Sequence, residues 1–271
     1  MKLAVFGDSF VQGFYQDRDD QGAVVEKYHK FNLCHYLGEE LGIHVSNQGF
    51  RSSSNQCISN TFIRWMSGYM GDPSEWMVLF VWSECGRDTD INPKYRDYKD
   101  NRDLYELKDY ILGHIDPRGN ADVWQNPAIK RMQFEQSVHS CRMLCEDYGI
   151  PYLMTSSITS EYFMNMLLNG DRQTLNGNLK VDKLKFQFGR AKENWIEPHK
   201  SNNTMLDIIT DNWLNDKKKD NVSEIKSVRR NLDSRIGLYK NTLTRCLHPT
   251  KEGHKLIAKT LAPYIKRKLE E

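Results

Sequence analysis

With 271 residues, 39% of them apolar and 27% charged, the chain suits one large α/β domain, or one domain with a sizeable insertion, and is no disordered polymer. Its formal charge of +2 is too balanced for nucleic-acid binding across the whole surface. The apolar run at Leu3–Phe6 is too short for a signal peptide, and no stretch approaches the roughly 18 apolar residues of a membrane span, so a cytoplasmic protein without a membrane partner is expected.

Four short apolar runs read as buried strands: Lys2–Phe6, Ile43–Asn47, Met77–Trp82 and Pro151–Thr155. Helical patterns separate them. Lys27–Leu41 places Phe31, Cys34, Leu37 and Leu41 at helical spacing. Asn55–Met70 does so with Ile58, Phe62, Trp65 and Tyr69, and Pro127–Tyr148 with Met132, Val138, Cys141, Cys145 and Tyr148. Gly149-Ile150-Pro151 then stops the helix and opens a strand. Near the C-terminus, Thr250 is a good N-cap, and Lys255–Leu269 carries Ile257, Leu261 and Ile265 on one side, with Pro263 marking a kink or a break.

Strand–helix alternation implies right-handed crossovers and a parallel sheet covered on both faces. Ligands of such sheets sit beyond the carboxyl ends of the strands. Ser9, Gly49 and Trp82-Ser83-Glu84 each follow a strand, so they share that rim. Two stretches interrupt the pattern of this single domain, at about 88–126 and 171–245. The first is polar and rich in tyrosine. The second holds sixteen Lys/Arg against ten Asp/Glu, with one amphipathic helix expected at Thr204–Leu214. A basic insertion of this kind is either a solvated helical insertion or a lid or partner-docking element that reads an anionic substrate or surface.

The six cysteines form no C-x-x-C pair and read as free thiols. Cys141, Cys145 and His139 lack a second ligand cluster, so no metal is expected. Gly7 and Gly13 match neither a dinucleotide fingerprint nor a P-loop, so no cofactor is implied.

Gly7-Asp8-Ser9 is the segment that could carry chemistry. A serine at the end of a buried strand, in a glycine-containing turn, is rigidly placed, but it needs a base and oxyanion donors to act as a nucleophile. Asp8 suits holding the turn by side-chain-to-backbone bonding. Trp76, Trp82 and Tyr69 read as core, although Trp82 lies on the rim, where it could stack on a ring.

Three segments in order resemble the GDSL/SGNH hydrolase family: Gly7-Asp8-Ser9 after the first strand, Asn47-Gln48-Gly49 after the second, and His248-Pro249-Thr250-Lys251-Glu252-Gly253-His254 near the end. That resemblance implies a three-layer α/β/α sandwich around a flavodoxin-like parallel sheet of about five strands. It also implies Ser9 as nucleophile, His248 as general base, and the N–H groups of Ser9 and Gly49 as oxyanion donors. Asn47 and Asp8 would support them. The substrate implied is a small acyl ester or an acylated carbohydrate.

Two positions depart from the family. Glu84 stands where an oxyanion-binding asparagine is expected, with Ser83 as a substitute donor and Arg87 as a counter-charge or anion ligand. Arg245 stands where the triad aspartate is expected, which leaves a Ser–His dyad or an atypical triad. The Trp82-Ser83-x-x-x-Arg87 stretch resembles hydrolase-like proteins of large tailed phages, for which host cytoplasm or virion would be the location. The alternative to an esterase is therefore a catalytically weak or inactive scaffold acting in binding, or as a phage structural or accessory component.

Overall fold

The computed structural model describes residues 1–18, 21, 24–51, 53–83, 88–90, 113–115, 127–157, 189–196, 205 and 248–271. Glu84, Arg87, Arg245 and most of both insertions, including all of 204–214 except Met205, lie outside them.

Four parallel strands form the central sheet, with the second along the chain at one edge, then the first, the third and the fourth. They are β1 (Lys2–Gly7), β4 (Val45–Gly49), β5 (Trp76–Trp82) and β8 (Tyr152–Ser156). On the far side of β8, Trp195 bridges Met154 in parallel and Ile196 N–H donates to the Met154 carbonyl at 2.8 Å, so a single residue pair marks the fifth strand position. The second-first-third-fourth order is that of a flavodoxin-like sheet.

Alternation along β1 divides the interior. Leu3 and Val5 point into one core with Leu33 and Leu37 of α2 (Leu33–Leu41) and Ile257, Leu261 and Ile265 of α5 (Lys251–Glu270). Ala4 and Phe6 point into the other, with Ile58, Phe62 and Trp65 of α3 (Asn55–Gly68) and Phe134, Val138, Cys141 and Cys145 of α4 (Pro127–Asp147). Helices thus cover both faces, and the molecule is a three-layer α/β/α sandwich. Among the described residues no helix is long and apolar enough to cross a membrane.

The helix starts follow from short polar side chains. Asn32 accepts from Cys34 N–H and His35 N–H, Ser54 from Cys57 N–H, and Thr250 from Gly253 N–H. Gly42 and Gly149 close α2 and α4 in the left-handed region, with φ of 68° and 65°. Pro263 neither breaks nor ends α5, which runs through it.

One expected helix is wrong over its first half. Val24–Tyr28 is a strand, β3, paired antiparallel to β2 (Phe14–Arg18) with Phe14 opposite Tyr28. Val24 and Val25 favour the extended backbone, and Asn32 starts the helix eight residues after β3 begins. Phe31, Tyr69, Met132 and Tyr148, expected on buried helix faces, are exposed. In the first insertion, β6 (Asp88–Asp90) and β7 (Gly113–Ile115) pair antiparallel.

Candidate active site

The turn after β1 is built by Asp8. Its carbonyl accepts from Val11 N–H and Gln12 N–H, both at 3.1 Å, and its Oδ1 caps Phe10 N–H at 3.0 Å. Ser9 opens α1 (Ser9–Gln12), which ends at Gly13 in the left-handed conformation, φ 81°. A Cβ at Gly13 would also lie 2.6 Å from Asn32 Cβ, so the position needs glycine on two counts.

The other Asp8 oxygen reaches across two strand ends. Oδ2 accepts from Ser83 Oγ at 3.0 Å and from Ser157 Oγ at 2.8 Å. Ser83 follows β5 and Ser157 follows β8, and Ser157 N–H donates to the Trp82 carbonyl at 2.8 Å. The fully buried Asp8 carboxylate therefore ties the Ser9 turn to the rims of two neighbouring strands.

His248 enters from the other end of the chain. Its Nε2 lies 2.8 Å from Ser9 Oγ, although 239 residues separate them in sequence. Its ring is flanked by Phe10 at 5.7 Å and by Phe14, edge-on, at 5.6 Å between centroids. Arg51 stands over the Phe14 ring at 5.5 Å, and its N–H donates to Gln12 Oε1 at 2.7 Å.

Gly49 stands opposite Gly7 in the parallel pairing of β1 with β4. Its N–H donates to Asn47 Oδ1 at 2.9 Å, while Asn47 Nδ2 donates to the Val11 carbonyl at 3.0 Å. Asn47 thus links β4 to α1, and it occupies the Gly49 donor. Ser83 is occupied as well: its hydroxyl serves Asp8 and its N–H donates to Asn55 Oδ1 at 2.8 Å. The substitute-donor role expected for Ser83 is therefore at odds with this arrangement, because both its donors already have acceptors. No intramolecular hydrogen bond to a described residue engages Ser9 N–H, as suits the first N–H of a helix.

Behind His248 sit two more histidines. His29 follows β3; its N–H donates to the Gly13 carbonyl at 2.9 Å, and its ring hydrogen-bonds the Pro249 carbonyl. Tyr15 stacks on that ring at 4.3 Å and 15°. His254 is fully buried, 5.5 Å from His29 between centroids. Burial holds the His29 imidazole below its ordinary pKa, and burial together with the two neighbouring histidines holds His254 down at about 3.

Several of these residues were invisible as site residues in the sequence. Ser157 follows a strand and falls under the same rim rule as Ser9, so that signal was available. Asn55 lies one residue past a helix cap and carried no sign of its reach to Ser83. Tyr15 lies in β2 and His29 just after β3, in a hairpin that was not expected, and the helix expected from Lys27 covered His29. Trp82 is wholly buried between Phe80 and Phe134 and is core, not a stacking platform. Cys141 and Cys145 are buried in the core too, and burial pushes the Cys141 thiol up to about 12.

No protein-family model and no curated protein matches the chain. Among solved structures it is similar to a protein assigned to the lipolytic G-D-S-L family from Desulfitobacterium hafniense DCB-2, at 14% identity and a TM-score of 0.46, over 97% of this chain and 98% of that one. A member of the lipolytic G-D-S-L family from Veillonella parvula DSM 2008 follows at 10% identity and 0.43, over 98% and 99%. A carbohydrate acetylesterase from Sinorhizobium meliloti is similar at 9% identity and 0.41, over 98% of both chains. The likeness to all three lies in the overall arrangement of strands and helices.

Proposed function

We propose that the protein is a serine-type carboxylic ester hydrolase acting on a small acyl group. The observation that carries this reading is the 2.8 Å contact between Ser9 Oγ and His248 Nε2, made on the sheet rim where such sites form. With the ring proton on Nδ1, Nε2 accepts the Ser9 proton as Oγ attacks the acyl carbon. The same nitrogen returns the proton to the departing alcohol. It then takes one from the water that attacks the acyl-enzyme and passes it to Ser9 Oγ as the bond to the acyl carbon breaks and the acid leaves. Ser9 N–H is the first donor for the oxyanion; Gly49 N–H joins it only when Asn47 Oδ1 gives way. The proposed substrate is a short acyl ester, with an acetylated carbohydrate as the natural class.

Turnover of p-nitrophenyl acetate and labelling by a fluorophosphonate test this. Both should be present in the wild type. Ser9→Ala and His248→Ala should lower turnover by on the order of 10³-fold or more, and Ser9→Ala should abolish labelling. Equal labelling of wild type and Ser9→Ala would overturn the assignment.

A second reading is favoured by one observation: the donors of Gly49 and Ser83 are already engaged, which leaves Ser9 N–H as the one ready donor among the three expected oxyanion residues. In that reading the scaffold serves binding, with the basic insertion at 171–245 as its docking element. Ser9→Ala would then leave the biological role intact, and co-purification of a partner would be lost on shortening the insertion.

A further inference from the structure

We propose that His29 is a positioning residue that holds the His248 loop against the Ser9 helix, an inference that rests on the hydrolase reading above. Three contacts converge on it. Its backbone N–H is bonded to the Gly13 carbonyl at 2.9 Å, and Gly13 closes the helix that Ser9 opens. Its ring bonds the carbonyl of Pro249, the residue next to His248. Tyr15 stacks on the ring at 4.3 Å and sets its plane. One residue therefore joins the nucleophile's helix to the base's loop, each through a hydrogen bond.

The choice of histidine is informative. His29 Nε2 is buried without a partner among the described residues, so the bond to Pro249 uses Nδ1. A phenyl ring would keep the stack on Tyr15 and would not bury an unpaired nitrogen. What histidine adds over phenylalanine is the single N–H given to Pro249. Proline has no N–H, so the Pro249 carbonyl is the one backbone group of that residue that can be pinned. Pinning it matters because a displacement of about 1 Å in a reacting group can lower the rate on the order of 100-fold.

Two variants separate positioning from packing. His29→Phe keeps the ring and loses the donor; His29→Asn loses the ring and keeps a donor at the Nδ1 position. For p-nitrophenyl acetate, kcat of His29→Phe should fall by about tenfold or more, with KM within about twofold and no loss of thermal stability. His29→Asn should recover most of that kcat even though it loses the stack. The fluorophosphonate labelling rate of Ser9 should follow the same order. Unchanged kcat in His29→Phe, with an active wild type, overturns this proposal and leaves the hydrolase reading standing. Equal losses in both variants, tracking a loss of stability, overturn it also, by showing His29 to be packing. A wild type that neither turns over nor labels overturns both.

Discussion

Asp8 is the residue on which the Ser9 turn depends most. Its buried carboxylate receives Phe10 N–H, Ser83 Oγ and Ser157 Oγ, and hydrogen bonds to a charged group are the stronger kind. Asp8→Ala should therefore destabilise the protein by about 3 kcal/mol, the sum of a lost helix cap and a buried hydroxyl left without its acceptor. Asp8→Asn keeps an oxygen for Phe10 N–H and should cost about half as much. Urea unfolding of the three proteins measures both, and a loss below about 1 kcal/mol for Asp8→Ala would show that the hydroxyls find other acceptors. The capping half of this role was legible, because aspartate in a turn favours bonding to the backbone two residues on. The other half was not. Ser83 and Ser157 lie 75 and 149 residues away, and only the strand order brings their rims to Asp8.

At the scale of elements, the close approach of α1 to β4 fixes where Ser9 stands. A Cβ at Gly49 would meet Gln12 N, Val11 Cβ and Val11 Cγ1, all at 2.7 Å, and two of those atoms cannot swing away. Gly49→Ala should push α1 off the sheet, destabilise by about 2 kcal/mol and lower kcat, since Ser9 moves with the helix. Gly42→Ala is the contrast. Its φ of 68° strains any side chain, but nothing lies within 4 Å, so it should cost about 1 kcal/mol and leave kcat unchanged. Thermal melts and turnover on the same samples test the pair, and equal kcat values for both would refute the steric account. All four sheet strands were legible within two residues, because each is a short apolar run between polar stops. The β2–β3 hairpin was not, because the helix expected from Lys27 begins inside β3, with Phe31 read at helical spacing to Cys34 and Leu37. With the hairpin went Phe14, which flanks the His248 ring, and Tyr15 and His29 behind it.

For the whole molecule, the three histidines where α5, the hairpin and the Ser9 turn meet make stability depend on acid. His254 has both ring nitrogens buried without a partner among the described residues, and it faces His29 and His248. Its folded pKa, about 3, lies below the 6.5 of an exposed histidine. Between those values the unfolded chain holds a proton that the folded chain does not, so unfolding gains ground as pH falls from 6.5 toward 3. The stability is fully present above 6.5 and is lost progressively below it. His29 is lowered too and adds to the loss with the same sign. Replacing His254 removes its share: a buried phenylalanine cannot take up a proton and leaves no nitrogen unpaired. From pH 7 to pH 5 the stability of His254→Phe relative to wild type should rise by about 2 kcal/mol, read from urea midpoints at the two values. Carboxylates titrate alike in both proteins and cancel in that difference. A constant difference would mean that His254 is protonated in the fold, and that the contact between α5 and the hairpin opens to water. If the difference grows as expected, acid acts on the first turns of α5, the helix that begins three residues after the His248 that contacts Ser9.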